Sequence, residues 1–267
     1  MPEFATRMEG ITGSAIRAVF KLLAKGDIIS FGGGNPSAES FPTEEIRSIV
    51  DSLLARDGAN LLQYGPTEGY APLRRAIAQH ILAPKCVHVA EEQILPLTGS
   101  MQAFDLLCRV FVNRGDTVLV EAPTFLGVLQ TLNLYGAKLV SVPSDEEGVC
   151  VDALESLVRK HRPKLFYCIP TFQNPSGRTI GIERRKRIAR IAAEYDPYWD
   201  LRYSGVPLPP IKAFDESGTV LLFNSFSKII APGLRVGSVT AEAPVIRKMT
   251  IAKQSADTHS PNLTQAI

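Results

Sequence analysis

Thr219-Val220-Leu221-Leu222-Phe223-Asn224-Ser225-Phe226-Ser227-Lys228 is a short apolar run that gives way to hydroxyl residues and ends on a lysine. Ala231-Pro232-Gly233-Leu234-Arg235-Val236-Gly237 follows almost at once. The run Thr219 to Phe223 reads as a buried strand. Residues just beyond such a strand lie where open parallel sheets bind ligands. A lysine placed there can be partly desolvated, which lowers its pKa and frees the amine for Schiff-base chemistry. Ser225, Ser227 and Arg235 are spaced to bind a phosphate, the guanidinium bidentately. Alone, Ser-x-Ser-Lys reads more simply as a solvated lysine beside a glycine turn. The Pro-Gly-Leu-Arg that follows at this spacing weighs against that simpler reading.

Working outward, the chain alternates helices and short apolar strands. Helices are expected from Thr43, over Ala71 to Leu82, Ser100 to Val112, Phe125 to Leu134, Val151 to His161, Glu183 to Tyr195 and Pro244 to Ala256. Thr43 can cap the first of these, and Glu44 and Glu45 suit its positive end. Strands are expected at Thr117 to Val120, Lys138 to Val142, Lys164 to Ile169, Thr219 to Phe223 and Leu234 to Thr240, and Ile94-Leu95 is a further short apolar run. Such alternation implies an α/β fold with a mostly parallel sheet covered on both faces. One step fails. After Tyr195 the chain reads Asp196-Pro197-Tyr198-Trp199-Asp200, with no apolar run, so a strand is expected to be missing there.

Bulk properties are those of an ordinary globular chain: 267 residues, 45% hydrophobic, 21% charged, net charge +2. So small a net charge gives no reason to expect nucleic acid or an acidic membrane as partner. No apolar run of about 18 residues is present, and none follows a basic N-terminus, so neither a membrane span nor a signal peptide is expected. Cys86, Cys108, Cys150 and Cys168 show no short pairing, and the four histidines are scattered. Reduced thiols, no metal site and a cytoplasmic location follow as expectations.

Further motifs occur in order along the chain. They are Gly33-Gly34-Asn35-Pro36, Tyr64-Gly65-Pro66-Thr67, Thr98-Gly99-Ser100-Met101-Gln102, Glu121-Ala122-Pro123-Thr124-Phe125 and Gln173-Asn174-Pro175-Ser176-Gly177. Each has a plain alternative. Gly-Ser is an ordinary helix start, Phe125 alone reads as core, Tyr64 as a buried loop side chain, and Asn-Pro-Ser-Gly as a turn. Together with Ser225-Phe226-Ser227-Lys228 they resemble the fold-type-I aminotransferases that use pyridoxal 5'-phosphate (PLP). The similarity extends to the aminoadipate and kynurenine aminotransferases and to the effector domains of MocR-type regulators, and it runs from about Arg7 to Gln265.

The resemblance implies a seven-stranded-type PLP-transferase sheet, with an N-terminal segment over 1–42 and a PLP-binding large domain over 43–267. It implies transamination between an amino acid and a 2-oxo acid, with Lys228 as the cofactor lysine and proton carrier. Ser100, Met101, Ser225, Ser227 and Arg235 match phosphate-contacting positions. Phe125 matches the ring stacked on the pyridine, and Asn174 the neighbour of the 3-oxygen. Tyr64 matches a tyrosine that reaches the phosphate of the neighbouring subunit, implying a homodimer. Gly34 lies in the segment that covers cofactor and substrate.

Two departures from the pattern stand out. Tyr198 matches a cofactor-contacting tyrosine, but the aspartate expected three residues earlier, which would pair with the pyridine nitrogen, is replaced by Tyr195. Roughly seven residues, a strand's worth, are expected to be absent there. The family's small C-terminal domain, on the order of a hundred residues, is also not matched, so the chain reads as an incomplete product or fragment. The competing functional readings are an inactive PLP-holding remnant, a regulator's effector domain, and a lyase or decarboxylase on the same fold.

Overall fold

The computed structural model describes residues 3–9, 11, 13, 34–189, 193–195 and 207–267. Its centre is an eight-stranded sheet built from β1 (Ile94–Leu97), β2 (Thr117–Ala122), β3 (Lys138–Asp145), β4 (Gly148–Val149), β5 (Leu165–Cys168), β6 (Ala193–Tyr195), β7 (Leu222–Ser225) and β8 (Gly237–Thr240). The spatial order is β1-β8-β7-β6-β5-β2-β3-β4. Pairings β2 with β3 and β5, β5 with β6, and β6 with β7 are parallel. β8 runs antiparallel to both β7 and β1, so β1 points the same way as β7. β4 closes a hairpin on β3.

This topology decides where the chemistry falls. The carboxyl ends of β1, β2, β5 and β7 open on one edge of the sheet, and the antiparallel β8 begins at that same edge. Every loop singled out from the sequence beyond residue 97 leaves or enters the sheet there.

Helices cover both faces. They are α1 (Thr43–Leu61), α2 (Ala71–Ala76, continuing as a π-helix over Ile77–Leu82), α3 (Ser100–Phe111), α4 (Leu126–Leu134), α5 (Val151–His161), α6 (Ile182–Ala189), α7 (Ala243–Gln254) and α8 (Asn262–Ala266). Strand residues alternate between two cores. Val118, Val120, Tyr167, Phe223 and Val239 pack with α3 and α7. Leu119, Phe166 and Cys168 pack with α5 and α6 on the other side. Phe166 and Phe223 are 2% and 1% exposed, and burying each contributes about 1.5–3 kcal/mol. Among the described residues no helix is long and apolar enough to cross a membrane.

Four sequence expectations are corrected. The strand expected to be missing is present, because Ala193–Tyr195, assigned from sequence to the end of a helix, forms β6. It pairs with Tyr167–Cys168 on one side and Leu222–Phe223 on the other. A vacant slot there would strand the backbone donors and acceptors of two central strands in an apolar interior. Ala-Glu-Tyr carries no apolar run to announce it.

The ladder of β7 begins at Leu222, not Thr219. The Asp215 carboxylate takes the N–H groups of Ser217, Thr219 and Val220, so a turn holds those residues. β8 likewise starts at Gly237, because Arg235 adopts left-handed backbone at φ 56° after a 3-10 turn over Pro232–Leu234. Thr43 is the first helical residue of α1 and Pro42 stands at the cap, with no side-chain capping bond.

Candidate active site

Lys228 sits one turn beyond β7. The turn is closed by Phe226 N–H to the Val236 carbonyl (3.1 Å) and Ile230 N–H to the Phe226 carbonyl (2.9 Å). The Ser227 N–H donates to Ser225 Oγ at 3.3 Å. Lys228 Nζ donates to the Gly34 carbonyl, so the backbone at Gly34 reaches over to the lysine. The side chain is half-buried, and that burial lowers its pKa from the usual lysine value.

Beside it the backbone makes an anion cradle. Gly99, at φ 84°, caps α3. A Cβ built there would lie 2.3 Å from Arg235 Nη2, so only glycine lets the guanidinium lie against the helix start. Arg235 Nη2 also donates to the Thr98 carbonyl at 3.4 Å. Gly237 is also tight, here against backbone: a Cβ would meet the Asn224 carbonyl at 2.9 Å and Ser100 N at 3.0 Å. Gly237 is in register with Ser225. Thus Ser225, Arg235 and the first turn of α3, with its positive end, converge on one spot.

The ring side of the site is built from the loops after β2 and β5. Ser100, Met101 and Phe125 line one small cavity with Phe104, Val128, Tyr167 and Phe223. A Cβ at Gly127 would sit 2.7 Å from the Phe125 ring. Asn174 is half-buried, and both Ala122–Pro123 and Asn174–Pro175 are cis. Gln173 ties the two loops together. Its Nε2 donates to Glu121 Oε1 (3.1 Å), the Pro123 carbonyl (2.7 Å) and the Asn174 carbonyl (3.0 Å), while its Oε1 accepts from Ser176 N–H (2.8 Å).

Glu121 is 2% exposed and also accepts from Ile169 N–H at 2.9 Å. Burial pushes its pKa up to about 8, against the pull of Gln173 and Ile169, so the group is mostly neutral near pH 7. Arg185, fully buried, donates to the carbonyls of Pro170, Ile180 and Pro209 and to Thr171 Oγ1, anchoring the base of the Asn174 loop.

The structure therefore gathers Lys228, Gly34, Ser100, Met101, Phe125, Asn174, Ser225, Ser227 and Arg235 around one sheet edge. Tyr64 stands apart. It is 82% exposed, its ring edge-on to His259 at 5.8 Å. The plain alternative of a buried loop tyrosine does not hold. Tyr198 and Asp196, together with Gly33, lie outside the described residues. Sequence reasoning assigned no role to Glu121, Gln173, Arg185, Lys253 or Asp257. For the last two, a lysine and an aspartate one helical turn apart at the end of α7 were the available signal.

Comparison with known proteins settles the family. The family model for aminotransferase class I and II matches residues 26–267. The chain belongs to this family. Aromatic-amino-acid aminotransferase 1 of Thermococcus litoralis is 43% identical over 99% of this chain and 66% of its own length. The 2-aminoadipate transaminase of Thermus thermophilus is 40% identical over 96% of the chain and 66% of its own length. The chain thus spans just under two thirds of these curated relatives. Among solved structures, the kynurenine aminotransferase of Pyrococcus horikoshii in complex with PMP superposes with a TM-score of 0.92. It is 39% identical, covering 98% of this chain and 68% of that one. This aminotransferase-family chain shares with it the sheet and flanking helices described above.

Proposed function

We propose that the chain is the cofactor-binding part of a PLP-dependent aminotransferase exchanging an amino group between an amino acid and a 2-oxo acid. Residues 43–267 form the PLP-binding domain in this reading, with 1–42 as the covering segment. The observation that carries it is the convergence of Lys228 with Arg235 and the Gly99–Ser100 helix start. The residues present fit the group. A side chain at Gly99 would fill the space Arg235 needs, and the donors around it are those a phosphate monoester requires.

When bound, PLP supplies an electron-withdrawing ring that makes the α-proton of an amino acid removable. The chain's own residues supply the rest. The N–H groups of Ser100 and Met101, the hydroxyls of Ser225 and Ser227 and the Arg235 guanidinium would hold the phosphate. Phe125 would pack on the ring and Asn174 would serve its 3-oxygen. Lys228 Nζ, made less basic by burial, takes the proton from the substrate α-carbon and returns it in the 1,3-shift. The segment at Gly34 shields that amine from water.

Tyr64 serves the phosphate of a second copy in a homodimer. Its 82% exposure supports this, as do Ile49, Leu54 and Leu62, left exposed on and just beyond α1. Free cysteines throughout suit a reducing, cytoplasmic setting. The names of the relatives favour aromatic amino acids, aminoadipate or kynurenine as substrate class. They also favour transamination over the effector role of a regulator.

The test is covalent. Borohydride reduction of the PLP-loaded chain is expected to label Lys228 in a peptide digest, and Lys228→Ala to abolish the label, the amino-acid-dependent absorbance change and turnover. An unlabelled Lys228 overturns the reading. A labelled chain without turnover would instead favour an inactive PLP-holding form.

A further inference from the structure

Lys253, near the end of α7, has a side chain that is 0% exposed. A buried ammonium is tolerated only with close partners. Lys253 Nζ has Asp257 Oδ1 at 2.6 Å, Asp257 Oδ2 at 2.8 Å and Gln102 Oε1 at 3.3 Å. Asp257 Oδ2 in turn accepts from Gln102 Nε2 at 2.6 Å and from Thr98 Oγ1 at 3.2 Å. Gln102 Oε1 accepts the Thr98 N–H at 2.8 Å. Thr98 Oγ1 also lies 3.3 Å from Ser260 Oγ.

These bonds end at the phosphate side of the site. Gln102 is the third residue of α3, where a glutamine commonly folds back over the first turn. Here the ion pair fixes both ends of its amide: nitrogen toward the carboxylate, oxygen toward the ammonium and Thr98. The Thr98 backbone is thereby held from its N–H, while its carbonyl takes Arg235 Nη2. The pair thus controls the first turn of α3 and the arginine lying against it. Buried ion pairs often add little net stability, so a device this costly to desolvate points to a geometric role.

We propose that Lys253 and Asp257 are positioning residues that set the phosphate-binding geometry of the α3 N-terminus and Arg235 through Gln102 and Thr98. The inference rests on the PLP reading above and deepens it. Neither residue contacts the cofactor in this scheme.

The experiment titrates the apo 267-residue chain with PLP and, separately, with pyridoxal, which lacks the phosphate, reading bound ligand by absorbance and fluorescence. Wild type is expected to bind PLP more tightly than pyridoxal. In Lys253→Met/Asp257→Leu, which replaces the ions by apolar groups, the PLP-over-pyridoxal preference is expected to fall about tenfold or more, the scale of one lost charge-assisted bond, with pyridoxal affinity unchanged. Gln102→Met, at a half-exposed position, is expected to lose the same preference, and it decides the matter if the double variant does not fold by circular dichroism. An unchanged preference in a folded variant, or equal weakening of both ligands, overturns the inference. Wild type that binds neither ligand sinks the PLP reading itself and takes this inference with it.

Discussion

Lys253–Asp257 and Glu121–Gln173 hold opposite sides of the same site, one under the phosphate cradle and one under the ring-side loops. Each has a carboxyl group at its centre, with donors at 2.6–3.2 Å from three side chains for Asp257 and from one side chain and one backbone N–H for Glu121. Burial raises the pKa of both. For Asp257, the ammonium of Lys253 and the bonds from Gln102 and Thr98 outweigh it, and the pKa ends below the usual aspartate value. Glu121 has an amide and a backbone N–H as partners, and burial wins, leaving it at about 8. The contrast teaches that a carboxyl closed off from water with two neutral donors stays protonated, whereas one partly open to water and bonded to an ammonium and two further donors stays ionised.

Three substitutions probe this contrast. Asp257→Ala should have the largest effect, destabilising the chain by roughly 3 kcal/mol in urea unfolding because Lys253 loses its counter-ion. That is the low end for such a loss, since the Asp257 side chain is itself 27% exposed and water can enter. A loss below about 1 kcal/mol would show that the pairing matters little. Gln173→Leu should cost about 2 kcal/mol, the penalty for leaving Glu121 and the Pro123 carbonyl short of a donor.

Glu121→Gln should be smallest near pH 6, under about 1 kcal/mol, because a neutral amide replaces a neutral acid. Its signature is pH dependence. Glu121 has a folded pKa above its unfolded value, so its contribution is fully present below about pH 4.3 and is lost as the pH rises to about 8. The Gln variant should flatten that decline in a series of unfolding curves. Asp257 has the opposite sign, with stability present above about pH 3.9 and lost as acid is added. Equal slopes in wild type and Glu121→Gln would mean that Glu121 is ionised when folded.

Much of this was legible in the sequence. Apolar runs announced β2, β5 and β7, and the loops after them carried Phe125, Asn174 and Lys228 as expected from the side of the sheet on which ligands bind. β6 was illegible because three residues, one of them glutamate, cannot raise a hydrophobic signal above the helical pattern that precedes them. Helix α1 forms from Thr43 as expected, but its sequence does not tell what covers it, and Ile49 and Leu54 are exposed. Contacts such as Thr98 with Arg235, 137 positions apart, depend on β8 pairing with both β1 and β7. No local spacing encodes that order. The networks around Glu121 and Lys253 were hidden for the same reason.

The stretch from Gly233 to Gly237 also tells an engineer where this protein can be altered. A methyl group at Gly233 meets nothing within 4 Å, whereas one at Gly237 would press on three separate backbone atoms, from Asn224, Gly99 and Ser100. A randomised library over this stretch should therefore accept many letters at position 233 and return a single one at 237. Two strands and a helix use that missing side chain as their common ruler.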